Sequence, residues 1–183
     1  MALSMELSIF LRFIREMEIN AHSSAIATLT KMLEVVENEA DGTVSESSDI
    51  LVKVLTELSK DEDWKMRRAV GKDPKTPKEI LTELSMDKNC DVRIVVAANP
   101  GTPKKVLTKL SKDKDWTVRW VVGENPKTPP AALIKLSKDE RWPVRGGVGG
   151  NPKTPPKILT ELSKDEDGNV RSITRANPSL PKE

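Results

Sequence analysis

Five consecutive copies of one 26-residue unit constrain the fold of this chain more than any other feature of its sequence. The copies follow one another without insertion or deletion, and their equivalent leucines are Leu55, Leu81, Leu107, Leu133 and Leu159. One short unit cannot bury its own apolar stripe, whereas a stack of such units can. Aromatic residues make up only 3% of the 183 residues, which argues against one wide globular core. The sequence therefore predicts an all-α helical repeat solenoid.

The first half of each unit is predicted to be a short helix that begins at a Thr-Pro step. In the second copy, Thr76 is expected to act as the N-cap and Pro77 to take the first helical position. Glu79 lies three residues after Thr76, where a capping box would place it. Leu81 and Leu84 fall at a spacing that gives one buried stripe.

The second half of each unit is predicted to be another short helix, running from about Val92 to Ala98 in the second copy. Asp91 is expected to be its N-cap, and the Asn99-Pro100 step is expected to end it, since a residue before proline avoids the helical region. Its inward side chains are predicted to be Val92, Val95 and Val96. Close packing is expected at one position that holds only small residues, namely Gly71, Ala97, Gly123 and Gly149. Arg175 replaces them in the last copy, as a polar terminal cap would.

The N-terminal part of the chain does not follow the repeat. Residues 1–48 are predicted to form a separate cap of two longer amphipathic helices, at 4–19 and 22–39. Ser48 is expected to cap the first repeat helix, and residues 49–183 are assigned to the five-copy solenoid. The apolar run inside the first helix is interrupted by charges and is too short to span a bilayer, so no membrane association is expected.

The recurrent string Leu-x-x-Leu-Ser-x-Asp, followed by Val-Arg-x-x-Val-Gly/Ala-x-Asn-Pro-x-Thr-Pro, resembles the variant leucine-rich repeat family over roughly residues 50–183. The resemblance implies units that pair an α-helix with a 3₁₀ helix in a right-handed superhelix, so the second element of each unit is a candidate 3₁₀ helix. HEAT-like repeats are the nearest alternative, with longer units. One type of member carries a cysteine-ligated iron–sulfur cluster ahead of its repeats, but residues 1–54 contain no cysteine. No cofactor is therefore expected.

Two charged positions recur in every copy and are predicted to form parallel ladders in the stack. The aspartates are Asp61, Asp87, Asp113, Asp139 and Asp165. The arginines, six residues later, are Arg67, Arg93, Arg119, Arg145 and Arg171. In the structural interpretation each aspartate accepts loop N–H groups and pairs with an arginine of its own or the next unit, since a guanidinium can bridge two units. In the functional interpretation an exposed arginine row binds phosphate or carboxylate partners. Recurrence in every copy favours structure.

Other recurring positions have structural explanations too. The asparagines before proline are expected to satisfy N–H groups of the turn, and they are Asn99, Asn125, Asn151 and Asn177. The tryptophans at the entry to the second helix are expected to pack between units, with base stacking as the alternative, and they are Trp64, Trp116 and Trp142. Cys90 takes the same place as a small apolar filler, and His22 has no second ligand or partner carboxylate.

Positions at which the copies differ are predicted to be exposed, because packing between repeats does not fix the residue type there. Two such positions lie four residues apart on the second helix, turned away from the valines. We call the surface they form the outward face, and its candidate binding residues are Arg68, Lys72, Ile94, Trp120 and Glu124. Exposed Trp, Ile and Arg side chains there would suit a binding hot spot. The alternative is that Trp120 covers the gap left by Gly146 and Gly147 in the next copy.

These patterns predict a non-catalytic scaffold that binds a protein or peptide through the outward face. Nucleic-acid or polyanion binding is the alternative, because residues 55–183 carry 26 Lys/Arg against 19 Asp/Glu and Lys75, Lys127 and Lys153 recur in loops. An enzyme is not expected, since the chain has no Ser/His/Asp or Cys/His arrangement and no metal-ligand spacing. The apolar side of helix 4–19 predicts self-association, and a lone Cys90 is consistent with a reducing cytoplasm.

Overall fold

The computed structural model describes residues 52–181, and within that range the chain forms ten α-helices and no strand. In chain order the helices are α1 (52–58), α2 (Trp64–Lys72), α3 (Lys78–Leu84), α4 (Cys90–Ala98), α5 (Lys104–Leu110), α6 (Trp116–Glu124), α7 (Pro130–Leu136), α8 (Trp142–Gly150), α9 (Pro156–Leu162) and α10 (Gly168–Arg175). Each repeat contributes one odd-numbered helix and then one even-numbered helix. The predicted all-α helical repeat solenoid is confirmed.

Several predictions fall on residues outside the described range. They are the two-helix cap at 1–48, with its helices 4–19 and 22–39, the capping role of Ser48, the lone His22, and self-association through helix 4–19. The domain boundary at 48/49 falls there as well, so all of these stay predictions.

The chain divides into two compact units, Met1–Val70 and Gly71–Glu183. In the described part of the first unit, the buried core side chains are Val54, Leu55, Leu58, Met66, Ala69 and Val70. The second unit holds α3 to α10, in which α4 packs against α6, α6 against α8 and α8 against α10. Each odd-numbered helix from α5 to α9 contacts the even-numbered helices before and after it. Neighbouring repeats of the second unit are therefore joined chiefly through a row of even-numbered helices.

The 26-residue period is also the period of burial. The repeat leucines Leu81, Leu107, Leu133 and Leu159 are all 0% exposed, as are Val92, Val118, Val144 and Val170. Each such side chain contributes about 1.5–3 kcal/mol when it is fully removed from water. Helices of only 7 or 9 residues are not stable alone, so this burial between repeats is what holds them in place.

The even-numbered helices are α-helical throughout, so the 3₁₀ conformation that the family resemblance implied does not occur in them. They also begin earlier than the sequence suggested. The N-cap of α4 is Asn89 rather than Asp91, and its side chain accepts from the N–H of Asp91 at 2.7 Å. Asp115 and Asp167 cap α6 and α10 in the same way. Asn89 was missed because an aspartate in the first turn is as favourable to a helix as one at its N-cap.

The threonine of the Thr-Pro step does not cap the helix that follows it, contrary to the prediction. The Thr102 hydroxyl instead donates to the carbonyl oxygen of Val96, at the end of the preceding helix, at 2.6 Å. The same bond recurs at Thr128 and Thr154. The N-cap of α3 is Pro77, which has no N–H, so Glu79 cannot complete a capping box. Each of these carbonyl oxygens also accepts from the N–H of the asparagine that ends the helix, so the threonine gives it a second hydrogen bond at the helix C-terminus.

Close packing at the small-residue position is borne out by the geometry. A Cβ placed on Gly123 would lie 3.3 Å from the carbonyl oxygen of Val144 and 3.3 Å from the amide nitrogen of Val148. Ala97, at the equivalent place on α4, is completely buried, whereas Arg175 at that place on α10 is exposed. Only small side chains leave room for the main chain of the next even-numbered helix.

Candidate partner-binding surface

The recurring arginine and aspartate side chains form ion pairs between successive repeats of the second unit. Arg93 donates through Nε and Nη2 to the two carboxylate oxygens of Asp113, at 2.7 and 2.9 Å. Its Nη1 donates to the carbonyl oxygen of Asp87 in its own repeat, at 2.8 Å. The same arrangement joins Arg119 to Asp139 and Arg145 to Asp165. The sequence left open whether the partner belongs to the same or the next repeat, and here it belongs to the next.

These ion pairs shift the pKa of both partners, lowering that of the aspartate and raising that of the arginine. The hydrogen bond from Arg145 lowers the pKa of Asp165, and the bond to Asp165 raises the pKa of Arg145. Burial alone would raise the pKa of Asp139, but the bonds from Arg119 and from the Arg141 N–H outweigh it and lower this pKa. Both carboxylates are therefore ionised, and the paired arginines balance their charge. These arginines are thus already bonded inside the protein and do not form an exposed row that could bind an external phosphate. Arg171 keeps the bonds to its own repeat, donating to the carbonyl oxygens of Asp165 and Glu166.

A second polar ladder is formed by the buried asparagines. The Asn151 amide nitrogen donates to the carbonyl oxygens of Gly123 and Asn125 in the preceding repeat, at 2.7 and 2.9 Å. Its Oδ1 accepts from the N–H of Lys153 in its own turn, at 2.9 Å. The equivalent asparagines Asn99, Asn125 and Asn177 also bond to the preceding repeat. The bonds to the turn were predicted from sequence, whereas the bonds between repeats were not.

The tryptophans at the start of the even-numbered helices differ in exposure. Trp64 and Trp116 are half-buried, and the Arg141 guanidinium carbon lies 5.9 Å from the centre of the Trp116 ring. Trp142 is 42% exposed, and Asp167 takes the place of Arg141 in the repeat that follows it. Cys90 is half-buried at the equivalent position. Packing between repeats therefore describes Trp116 better than Trp142.

The outward face of the second unit carries an exposed tryptophan. Trp120 is 37% exposed on α6, Ile94 is half-buried on α4, and Glu124 and Lys72 are exposed. Trp120 also contacts the next repeat, because a Cβ placed on Gly147 would lie 2.9 Å from its Cδ1 atom. Trp120 therefore covers Gly147 while more than a third of its surface stays exposed, and its role in binding stays a prediction. Arg68 is half-buried in the first unit, and its role stays a prediction.

Sequence reasoning missed one apolar residue on this surface, Ile173, which is 40% exposed on α10. A Cβ on Gly146 would lie 3.2 Å from its Cδ1 atom, and a Cβ on Gly150 would lie 3.4 Å from its Cγ2 atom. The signal was present, because Ile173 occupies the position that holds Gly147 one repeat earlier. It was overlooked because Thr174 takes the place of a core valine in this last helix, which interrupts the repeating pattern of inward valines.

The part of the chain that the structure describes contains neither a cluster of metal-binding side chains nor a helix that could span a membrane. No group of three His, Cys, Asp or Glu side chains among residues 52–181 could hold a metal ion. No helix in the same range is long and apolar enough to cross a membrane.

No family model matches the sequence, and no curated protein is similar to it. Among solved structures, the chain is similar to one described as "a leucine-rich repeat variant with a novel repetitive protein structural motif". The two share 29% identity over 80% of this chain, with a TM-score of 0.57. This chain has a leucine-rich repeat variant fold. It spans 61% of the length of that structure.

Within this leucine-rich repeat variant fold, two groups of positions can be separated by what their side chains contact. The leucines, valines, asparagines and paired charges contact neighbouring repeats and recur from the second copy onward. Trp120, Glu124 and Ile173 differ from their equivalents in other copies and reach solvent. The second group is the candidate partner-binding surface.

Proposed function

We propose that this chain is a non-catalytic scaffold that binds a protein or peptide through the outward face of its second unit. The observation that carries the proposal is the exposure of Trp120 on a surface where the copies differ, next to repeat positions that are almost completely buried. Tryptophan is among the side chains most enriched in binding hot spots. A position that stacking does not fix is free to be selected for recognition.

The placement of charge supports a protein partner over nucleic acid. The described arginines of the ladder are used inside the protein, and the Lys127 ammonium group donates to the carbonyl oxygen of Pro100 in the preceding repeat. Aspartate and glutamate side chains are interleaved with the lysines throughout the repeats. Such interleaving of opposite charges is unlike the basic patch or stripe that is typical of nucleic-acid-binding domains. We take the cytoplasm as the expected compartment, on the strength of the single cysteine.

The Trp120→Ala variant tests the proposal. If Trp120 is a hot spot, its loss should weaken partner binding by at least about 2 kcal/mol, roughly 30-fold in affinity. Immobilised wild type and variant would be compared by quantitative mass spectrometry of the proteins they capture, followed by titration of each captured partner. Trp142→Ala is the matched control, because Trp142 has similar exposure at the start of α8.

The expected result is a partner lost with Trp120→Ala and retained with Trp142→Ala. Because Trp120 also packs on Gly147, Trp120→Ala should melt at a lower temperature, so binding is compared where circular dichroism shows each variant to be fully folded. Equal capture by all three proteins would contradict the proposal. A labelled oligonucleotide whose mobility shifts at low salt with either variant would instead favour the nucleic-acid alternative.

A further inference from the structure

Every repeat carries both lysines and carboxylates, but one part of the surface presents lysines alone. Residues 104–112, which are α5 and the turn after it, contain four lysines and no Asp or Glu. Residues 130–138, which are α7 and the turn after it, contain two more lysines and again no carboxylate. All of them are exposed, and both helices pack against α6. We call this surface the lysine patch, and its residues are Lys104, Lys105, Lys109, Lys112, Lys135 and Lys138.

The positive charge of the lysine patch is not balanced by neighbouring carboxylates. The aspartates that follow the two turns, Asp113 and Asp139, are bonded to Arg93 and Arg119 of the preceding repeats. The next exposed carboxylate after α7 is Glu140. Within residues 52–181 no lysine of the patch forms an ion pair. The patch therefore presents its charge to solvent, where an external carboxylate can reach it.

The lysine patch ends at the neighbouring odd-numbered helices. Glu79 and Glu83 are exposed on α3, and Glu161 is exposed on α9. A lysine does recur on α9, at Lys157, but it lies one turn from that glutamate on the same helix. The uncompensated charge is thus confined to two successive repeats and does not extend along the stack. A surface of this extent suits a short segment of a partner chain.

Ile134 adds an exposed apolar side chain to the lysine patch. On α3, α5 and α9 the equivalent residue is threonine, and the hydroxyls of Thr82, Thr108 and Thr160 donate to the carbonyl oxygen four residues earlier, at 2.7, 2.9 and 3.1 Å. Ile134 takes that place on α7 and is 41% exposed. Ala131, one turn earlier on α7, is exposed as well. Since threonine is sufficient for stacking in the other repeats, packing does not require an isoleucine here.

We propose that the lysine patch binds an acidic segment of a partner protein, whose Asp or Glu side chains pair with the lysines and whose apolar side chain packs against Ile134. Nucleic acid fits less well. Surfaces that bind single strands combine basic residues with aromatic side chains on which bases stack, and residues 104–112 and 130–138 contain no aromatic residue. The patch lies on odd-numbered helices and does not include Trp120, so this inference is independent of the outward face.

Two labelled peptides test the patch by fluorescence anisotropy with the full-length protein at low salt. The first is fluorescein-Gly-Glu-Glu-Leu-Glu-Glu-Leu-Glu-Glu-amide, and the second has serine in place of both leucines. We expect saturable binding of both peptides, with the leucine peptide about threefold tighter because it removes apolar surface of Ile134 from water. The affinity of each peptide should fall as salt is added.

Two double variants with the same net charge locate the binding surface. The first, Lys105→Glu with Lys112→Glu, places carboxylates in the patch and should weaken both peptides roughly tenfold. The matched control is Lys157→Glu with Lys164→Glu, because these lysines hold the same repeat positions on α9 and are also exposed. It should leave both affinities within about twofold of wild type.

Ile134→Thr tests the apolar contact separately. The substitution gives α7 the residue that its neighbours hold at this exposed position, so the variant should melt close to the wild-type temperature. It should remove the roughly threefold advantage of the leucine peptide and leave the affinity of the serine peptide unchanged.

Weakening confined to the Lys105 and Lys112 variant, together with a leucine advantage that depends on Ile134, supports the assignment. Equal weakening by both double variants would show that only net charge matters and would overturn it, as would no binding of either peptide. A thymidine oligonucleotide of the same charge that binds more tightly than the leucine peptide, and is unaffected by Ile134→Thr, would overturn it in favour of nucleic acid.

Discussion

Replacing Arg119 with alanine is expected to lower the free energy of unfolding by about 3–5 kcal/mol. The variant would leave the Asp139 carboxylate, which is 10% exposed, without the two bonds at 2.7 and 3.1 Å that neutralise it. It would also leave the carbonyl oxygen of Asp113 without the Nη1 donor at 2.9 Å. Urea unfolding followed by far-ultraviolet circular dichroism measures the loss.

Arg119→Lys separates charge from geometry. An ammonium group keeps the positive charge but cannot bond two carboxylate oxygens and a carbonyl in one plane, so we expect an intermediate loss. The pKa of Asp139 gives an independent readout, because burial raises it and the bond from Arg119 lowers it. In Arg119→Ala this pKa should rise above its wild-type value. A stability loss below about 1 kcal/mol, the range of exposed ion pairs, would show that the ladder is not structural.

Replacing Asn151 with aspartate is the second change with a large expected effect, again about 3–5 kcal/mol at neutral pH. Asn151 is only 1% exposed, and its amide donates to the carbonyl oxygens of Gly123 and Asn125. A carboxylate has no proton to donate and would face both oxygens with a negative charge. Asn125→Asp is a replicate, because Asn125 donates in the same way to Ala97 at 2.6 Å.

The Asn151→Asp defect should depend on pH in a defined direction. Burial and the two carbonyl oxygens raise the pKa of the new carboxyl group in the folded state above its unfolded value of about 3.9. The folded state then binds more protons, so the stability difference from wild type shrinks as the pH falls through the raised value and is smallest below the unfolded value. Unfolding curves of both proteins at matched pH measure this difference. A difference that stays constant from neutral to acidic pH would contradict the assigned role.

The repeat architecture could be predicted because side chains that must be buried between repeats recur every 26 residues. Leu81 and Val92 must be buried between repeats in each copy, so their period reports the stacking directly. The position of Gly123 could be predicted for the same reason, since only a small side chain permits the approach of Val144. Sequence reasoning also placed Trp120 on the exposed surface, because a position that varies between copies is not fixed by packing.

Features that depend on which of two neighbours a polar group contacts could not be predicted. The Thr102 hydroxyl can serve the helix after it or the helix before it, and both choices satisfy one backbone group. Asn89 and Asp91 are both suitable for a helix start, and only the backbone conformation selects Asn89. The partner of Arg93 could have been Asp87 or Asp113 on sequence alone. Such choices are set by distances between repeats, which a one-dimensional pattern does not contain.

The surface of α8 shows the same limit on the functional side. Four glycines in this one helix are visible in the sequence. The structure buries Gly146, Gly147 and Gly149, because side chains from α6 and α10 lie against them. The candidate binding residues on α6 were therefore predicted, whereas the packing of Ile173 from α10 against α8 was not.

Recurring side chains join one repeat to the next, and we propose that this leaves the outward face of the second unit for recognition. A double-mutant cycle between Arg119 and Asp139 tests it most directly, with Arg93 and Asp139, which belong to different pairs, as the control cycle. We expect a coupling free energy of at least about 1.5 kcal/mol for the first pair and within about 0.5 kcal/mol of zero for the second. Additive effects of Arg119→Ala and Asp139→Ala would contradict it.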